Sequence, residues 1–198
     1  MSDVPRWFSD TEEGHSQWYI ERFRQMAREG VDLAGEARLM DAIVAPGSRI
    51  LDGGCGPGRL GAELHRRGHE VVGVDVDPEL IAAAEQDHPG PTWLVGDLAR
   101  LDLAAAGQPE PFDAAIVAGN VMAFVAPGTE ADVLRSLKAH VRPDGQIVIG
   151  FGVDRGYAID RFDADLLTVG LSVEQRFATW DLRPLTAESN FNVTILRV

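Results

Sequence analysis

The sequence predicts an α/β fold in which a parallel sheet is covered by helices on both faces. Between residues 48 and 169, short apolar runs alternate with segments of helical periodicity. Strands that read as continuous apolar runs are typical of buried parallel sheets. The loop Gly53-Gly54-Cys55-Gly56-Pro57-Gly58 follows the first of these runs. A strand, a tight glycine turn and a helix in this order open a ligand site in many α/β proteins.

The length of 198 residues fits a single domain, and we expect one over residues 1–198. Two helical segments precede the first strand, so residues 1–47 are predicted to form an N-terminal helical lid and residues 48–198 the core. Apolar residues make up 45% of the chain and charged residues 25%, which is ordinary for a globular protein.

Charge and cysteine content argue against several classes of protein. The net charge is −13, from 18 basic and 31 acidic side chains, which argues against a nucleic-acid-binding surface. The single cysteine excludes an intramolecular disulfide and a multi-cysteine zinc site. The first residues lack the apolar core of a signal peptide, and no apolar stretch is long enough to span a bilayer. We therefore expect a cytoplasmic monomer or homodimer with no membrane partner.

The elements can be placed along the chain by periodicity and by glycine and proline positions. Residues 1–14 are polar and expected to be frayed; a helix begins at residue 16 and ends before Gly30, and a second spans about 33–44. The predicted strands are 50–52, 70–75, 92–95, 112–118, 146–151, 172–180 and 191–198. The later helices are 60–67, 78–87, 130–140 and 158–169, with a turn at 143–145. Only a loop joins the last two strands, which predicts an antiparallel pair at one edge.

Three acidic residues stand at the carboxyl ends of successive predicted strands, Asp52, Asp75 and Asp97. Ligands of open α/β sheets bind at these ends. Asp75 is placed to accept hydrogen bonds from both hydroxyls of a ribose. Asp97 is placed to accept from an adenine amino group, with the backbone N–H of Leu98 donating to a ring nitrogen. Each Asp also has a structural alternative as a turn or helix cap, and Asp77 is better explained as the cap of the helix that follows it.

The combined spacing resembles a known family. Asp52-x-Gly54-x-Gly56-x-Gly58, then Val74-Asp75 and Gly96-Asp97-Leu98, is similar to the motif series of class I S-adenosylmethionine-dependent methyltransferases. The resemblance covers residues 48–198. It implies a Rossmann-like, doubly wound sheet of seven strands in the order 3-2-1-4-5-7-6, with the last strand antiparallel and helices on both faces.

The resemblance also implies a cofactor, S-adenosyl-L-methionine, with S-adenosyl-L-homocysteine as the product. By this resemblance Asp52 faces the ammonium group of the methionine part, and Gly54 and Gly56 pass beneath that part. Asp75 holds the ribose. The cofactor-binding residues implied in this way are Asp52, Gly53, Gly54, Cys55, Gly56, Gly58, Asp75, Val76, Asp97 and Leu98.

Candidate catalytic residues lie outside the glycine loop. His15 and Tyr19 are one helical turn apart, with Arg22 close to the same side. If this helix closes over the cofactor, His15 is a candidate general base and Arg22 a partner for the methionine carboxylate or an acidic substrate. The alternative is that Tyr19 is a packing residue and His15 only begins the helix. Asn120, in the loop that lies by the transferable methyl in this family, is a third catalytic candidate and a cofactor contact, or a turn cap.

The acceptor is predicted from residues around the same loop. In relatives that methylate bases or amides, the loop carries Asn-Pro-Pro-Tyr or a similar motif, whereas here Asn120 is followed by Val-Met. This difference argues against methylation of a base or a protein amide. No acidic cluster stands there either, so no metal is expected. Phe124, Tyr157 and Trp180 suggest an apolar or aromatic small-molecule acceptor, although all three are also explained by packing.

Two other functions compete with methyl transfer. Residues 56–61 spell G-x-G-x-x-G with Asp75 downstream, the pattern of an NAD-dependent oxidoreductase. That interpretation leaves Asp97 and the terminal antiparallel strands without a role. The second competitor is a catalytically silent protein that binds adenosylmethionine, which intact cofactor motifs do not exclude.

Overall fold

Residues 4–198 are described by a computed structural model in which seven strands form one sheet. The strands are β1 (Arg49–Gly53), β2 (Glu70–Asp75), β3 (Thr92–Val95), β4 (Phe112–Val117), β5 (Val141–Gly152), β6 (Ser172–Phe177) and β7 (Phe191–Arg197). Their order is β3-β2-β1-β4-β5-β7-β6, which confirms the predicted order. β7 runs antiparallel to both of its neighbours, and the other pairs are parallel.

Eight α-helices accompany the sheet within the described residues. They are α1 (Arg6–Ser9), α2 (His15–Arg28), α3 (Gly35–Ile43), α4 (Arg59–Arg66), α5 (Pro78–Asp87), α6 (Val121–Phe124), α7 (Glu130–His140) and α8 (Ile159–Val169). A 3-10 turn at Leu98–Arg100 follows β3. In the part of the chain that the structure covers, no helix is long and apolar enough to cross a membrane.

Both faces of the sheet are covered by helices. Along β1, Leu51 belongs to the cluster formed with α7 and α8, whereas Ile50 belongs to the cluster formed with α3 and α4. Side chains alternate between the faces of a strand. Asp52, next but one to Ile50, therefore points to the α4 face. The carboxyl ends of all the strands except the antiparallel β7 lie at one edge of the sheet.

The N-terminal segment differs from the prediction. The expectation that residues 1–14 are frayed is wrong for Arg6–Ser9, which form α1 after Pro5, because the indole of Trp7 packs against the core and holds this turn in place. Residues 1–3 of that expectation lie outside the described part of the chain. α2 packs on α5, where Ile20 meets Leu80 and Ala83.

Two boundaries near the C-terminus also differ. The predicted turn at 143–145 is a bulge inside β5, where the pairing with β4 shifts register and Asp144 adopts a φ of +62°. The strand predicted over 172–180 ends at Phe177. The cause is Trp180, whose indole packs over Gly150 and against Phe191 instead of continuing the strand pattern.

Candidate active site

A cleft opens at the carboxyl ends of β1, β2 and β4. Its space amounts to about 620 Å³ when the solvent in the open mouth is included. The wall is formed by the glycine loop after β1 and by the ends of β2 and β3. The segment after β4 forms a further wall. Three aromatic side chains that line the cleft, Trp7 of α1, Tyr19 of α2 and Phe124 of α6, are called the roof here.

The glycine loop folds back onto the end of β2. The backbone N–H groups of Gly54 and Cys55 donate to the carbonyl of Val74 at 2.7 and 3.0 Å. Gly54 has a φ of +73°, and a Cβ there would lie 2.3 Å from Cγ2 of Val121. Only glycine allows this turn together with such a close approach. Gly54 and Gly56 line the cleft.

The other predicted loop residues lie behind the cleft lining. Gly53 is buried, and a Cβ at Gly58 would collide with Ala84 and Trp93. Cys55 is buried against α5 and Trp93, and burial raises the pKa of its thiol. Packing of the loop on α5 thus accounts for Gly58 and Cys55.

Asp75 is held at the cleft by two backbone groups. Its Oδ2 accepts the N–H of Gly56 at 2.8 Å, and its Oδ1 accepts the N–H of Asp77 at 3.0 Å. The side chain lines the cleft. Burial raises the pKa of Asp75 to about 6, and the hydrogen bonds from Asp77 and Gly56 oppose that rise. A carboxylate fixed in this way is ready to accept further hydrogen bonds from a ligand.

Asp97, Leu98 and Val76 also line the cleft. Oδ1 of Asp97 accepts the N–H of Ala99 at 2.9 Å and so caps the 3-10 turn. Asp97 can therefore cap this turn and also face a ligand in the cleft. Leu80, from α5, adds an apolar contact to this side of the cleft.

Asp52, in β1, is buried against the first turn of α4 and is not part of the cleft lining. Its Oδ2 has no hydrogen-bond partner among residues 4–198, and a Cβ at Gly61 would lie 3.1 Å from it. Burial raises the pKa of Asp52 to about 7, against the attraction of the Arg59 guanidinium. The proposed contact between Asp52 and the ammonium group of the cofactor stays a prediction.

Tyr19 forms part of the roof with residues that the sequence did not single out as site residues. A Cβ at Gly56 would lie 3.6 Å from Cε1 of Tyr19, and one at Gly119 would lie 3.9 Å from its hydroxyl oxygen. The ring therefore spans the cleft between the loops after β1 and β4. Burial raises the pKa of Tyr19, so the hydroxyl is protonated at neutral pH.

Sequence reasoning missed Pro5 and Trp7, which line the cleft beside Tyr19. The indole of Trp7 meets Tyr19 at 5.4 Å and Phe124 at 5.7 Å between ring centroids, both edge to face. The sequence contained one signal for this, which is Trp7 itself. A large aromatic side chain within an otherwise acidic segment is stabilised by packing on an apolar partner.

The other three predicted residues are not part of the cleft lining. His15 packs between the rings of Trp7 and Trp18, with centroids 4.9 and 5.3 Å away. Arg22 is exposed and lies over Trp18. Asn120, with a φ of +66°, accepts the N–H of Gly152 at 2.7 Å and so joins the loops after β4 and β5. The side chain of Asn120 therefore bonds to the backbone of β5 and makes no cap hydrogen bond to α6.

Of the three aromatic residues considered for the acceptor, Phe124 alone lines the cleft. Tyr157 is fully buried and donates its hydroxyl to Asp165 at 2.7 Å. Trp180 packs on Gly150. Packing therefore explains Tyr157 and Trp180.

Comparison with known proteins shows which family the chain belongs to. A family model described as a methyltransferase domain matches residues 50–145. The crystal structure of a TehB-like S-adenosylmethionine-dependent methyltransferase from Corynebacterium glutamicum is 41% identical, with a TM-score of 0.88, and the match covers 94% of this chain and 99% of that one. The chain belongs to the class I S-adenosylmethionine-dependent methyltransferases. Membership of this class confirms the predicted cofactor, S-adenosyl-L-methionine.

Curated relatives of this methyltransferase are named for different acceptors. Magnesium-protoporphyrin O-methyltransferase of Rhodobacter capsulatus is 35% identical over 54% of this chain and 48% of its own length. A ribosomal protein L11 methyltransferase of Symbiobacterium thermophilum is 34% identical over 67% of this chain and 42% of its own length. The chain thus spans about half the length of these curated relatives.

Proposed function

We propose that this methyltransferase transfers the methyl group of S-adenosyl-L-methionine to a small molecule bound in the cleft. The observation that carries the proposal is the position of the Asp75 carboxylate, which lines the cleft next to the glycine loop, together with the aromatic roof residues. A polar wall for the cofactor and an apolar wall for the acceptor then lie within one site.

The residues present fit the cofactor. Asp75 would hold the ribose hydroxyls, while Asp97 and the N–H of Leu98 would hold the adenine. Gly54 and Gly56 leave room for the methionine part, because a Cβ at either position would project toward Val121 or Tyr19. When bound, the cofactor supplies a methyl group already activated by a positively charged sulfur.

The contribution of the protein is mainly alignment and exclusion of water. The roof residues Trp7, Tyr19 and Phe124 line the same cleft as Asp75 and contact one another edge to face. The protonated hydroxyl of Tyr19 has no hydrogen-bond partner within residues 4–198, so it is available to orient the nucleophile of the acceptor. We propose this orienting role for Tyr19, and His15 stays a predicted base.

A small acceptor is favoured over a macromolecule. Pro5 and Trp7 line the same cleft as the cofactor residues, so the acceptor would share a space bounded by these side chains, which suits a small molecule. The net charge of −13 disfavours nucleic acid. Because Pro5, Trp7 and Tyr19 of the predicted lid line one cleft with the cofactor residues of the core, we also propose that the chain acts as a single domain.

The test is a methyl-transfer assay with isotopically labelled S-adenosyl-L-methionine. The protein is incubated with a panel of phenols, carboxylic acids, amines and thiols, and in parallel with purified ribosomal protein and tRNA. The proposal expects label in at least one small molecule and none in the macromolecules. Label in a macromolecule alone would contradict the small-molecule acceptor. Cofactor binding without transfer to any acceptor would favour the catalytically silent alternative.

A further inference from the structure

Asp77 makes more contacts than its role as a helix cap requires. Its Oδ1 accepts the N–H of Glu79 at 2.8 Å and caps α5. Its Oδ2 accepts the indole N–H of Trp7 at 2.7 Å and also the hydroxyl of Ser16. The carboxylate is only 2% exposed. Capping uses one oxygen, so the second oxygen joins the N-terminal segment to the core.

That segment crosses the cleft. We call residues 5–9 the strap. On one side of the cleft, Trp7 is bonded to Asp77 at the start of α5. On the other side its ring packs on Phe124 of α6, and Nη1 of Arg6 donates to the carbonyl of Ala123 at 3.4 Å. The strap therefore connects the β2–α5 side of the site with the segment after β4, above the cleft.

Asp77 also contacts the carboxylate that faces the ligand. Its backbone N–H donates to Oδ1 of Asp75 at 3.0 Å. One residue thus orients Asp75 through its backbone and Trp7 through its side chain. Hydrogen bonds to a buried charged group are stronger than those between neutral groups.

We propose that Asp77 is a positioning residue that holds Trp7 over the bound cofactor and thereby slows the release of S-adenosyl-L-homocysteine. Pro5 and Trp7 of the strap line the same cleft as Asp75 and Gly119. A ligand in the cleft would therefore contact the strap, and losing the hydrogen bond between Trp7 and Asp77 would free the strap to move away from it. The inference rests on the proposed function, because it takes the cleft to be the cofactor site.

The decisive variant is Asp77→Asn, which separates the two roles of the side chain. Asparagine caps helices as well as aspartate does, so Oδ1 can still accept the N–H of Glu79. The amide nitrogen that replaces Oδ2 cannot accept a hydrogen bond from Trp7 or Ser16. Trp7→Phe removes the same bond from the other side without touching α5.

The matched control is Asp87→Asn at the opposite end of α5. Asp87 also joins α5 to the N-terminal helices, through Arg24 of α2 at 2.7 and 3.0 Å, but it is not part of the cleft lining. Asp87→Asn therefore also removes a connection between the N-terminal helices and the core, but it leaves the hydrogen bond between Trp7 and Asp77 in place.

The measurement is the dissociation rate of S-adenosyl-L-homocysteine in stopped-flow displacement, together with the thermal midpoint of each variant. Asp77→Asn and Trp7→Phe are each expected to raise the rate about tenfold or more, whereas Asp87→Asn changes it less than about twofold. In the double variant Asp77→Asn/Trp7→Phe, dissociation should be no faster than in the faster single variant, because both substitutions remove the same hydrogen bond. If Asp77→Asn loses α5, seen as a large fall in thermal midpoint, Trp7→Phe decides alone.

Equal rates for wild type, Trp7→Phe and Asp77→Asn would overturn the positioning role. The positioning role would also be overturned if the rate increase in the double variant equalled the product of the increases in the two single variants. Wild-type protein that binds no S-adenosyl-L-homocysteine would overturn the proposed cofactor site and this inference with it, so the two failures are distinguishable.

Discussion

Oδ2 of Asp75 accepts the backbone N–H of Gly56 at 2.8 Å, which ties the end of β2 to the glycine loop after β1. The bond fixes the loop next to the carboxylate that faces the cleft. The loop conformation and the position of the proposed ribose ligand therefore depend on each other, and a change at Asp75 should affect both.

Replacing Asp75 by asparagine should weaken cofactor binding. The amide can accept through one oxygen only, so one of the N–H groups of Gly56 and Asp77 loses its acceptor. We expect the Kd for S-adenosyl-L-homocysteine to rise about tenfold or more, which calorimetric titration would measure. Asp102→Asn is the control, since Asp102 also accepts a backbone N–H but lies on the surface. Unchanged affinity in Asp75→Asn would refute the assignment.

The buried Asp52 predicts how stability depends on pH. Its folded pKa of about 7 lies above the ordinary value of 3.8, so the folded state binds more protons than the unfolded state between these values. Its contribution is fully present below pH 3.8 and is lost as the pH rises through 7. Asp52→Asn should therefore stabilise the protein at pH 8, on the order of 2–4 kcal/mol, but not at pH 4.

Asp113 provides a control of opposite sign for that experiment. Hydrogen bonds from Arg49 and Arg142 hold the pKa of Asp113 below its ordinary value, so Asp113→Asn should lower the free energy of unfolding at pH 8 and matter less in acid. Urea unfolding at several pH values measures both variants. An Asp52→Asn variant with the same pH dependence as wild type would contradict a raised pKa.

The close approach of Gly54 to Val121 predicts a large effect of a single methyl group. A Cβ at Gly54 would lie 2.3 Å from Cγ2 of Val121, whereas one at Gly47, with a similar φ of +76°, meets nothing within 4 Å. Gly47→Ala should lose about 1–2 kcal/mol of stability through its left-handed backbone alone. Gly54→Ala should lose about 1–3 kcal/mol more through the clash, and weaken cofactor binding. Equal losses in urea unfolding would argue against the contact.

Tyr19 and His15 predict different effects on turnover once an acceptor is identified. Because Tyr19 lines the cleft and His15 does not, Tyr19→Phe should lower kcat by about tenfold or more, and His15→Ala by less. Initial rates at saturating cofactor would measure both. A large loss in His15→Ala with a normal Tyr19→Phe would restore His15 as the base and remove the orienting role of Tyr19.

Much of the fold could be predicted from the sequence because it depends on local patterns. The apolar runs that form β2 and β3 are bounded by turn residues, and both strands have the predicted ends. Asp75 and Asp97 reach the cleft because the carboxyl ends of parallel strands share one edge.

The features that escaped prediction depend on contacts distant in sequence. Trp7 and Asp77 are separated by 70 positions, and Asn120 and Gly152 by 32. No local pattern encodes either pair, so the polar character of residues 1–14 predicted a frayed end. The orientation of Asp52 toward α4 follows from alternation along β1. That Gly54 and Gly56 line the cleft while Asp52 does not depends on how the glycine loop packs.

The central claim is that the cleft between Asp75 and the aromatic roof binds S-adenosyl-L-methionine. Calorimetric titration of the purified chain with S-adenosyl-L-methionine, S-adenosyl-L-homocysteine and NADH tests it most directly. We predict roughly micromolar affinity for the two adenosyl compounds and none for NADH. Binding of NADH without binding of either adenosyl compound would contradict the account and would favour the dinucleotide pattern at residues 56–61.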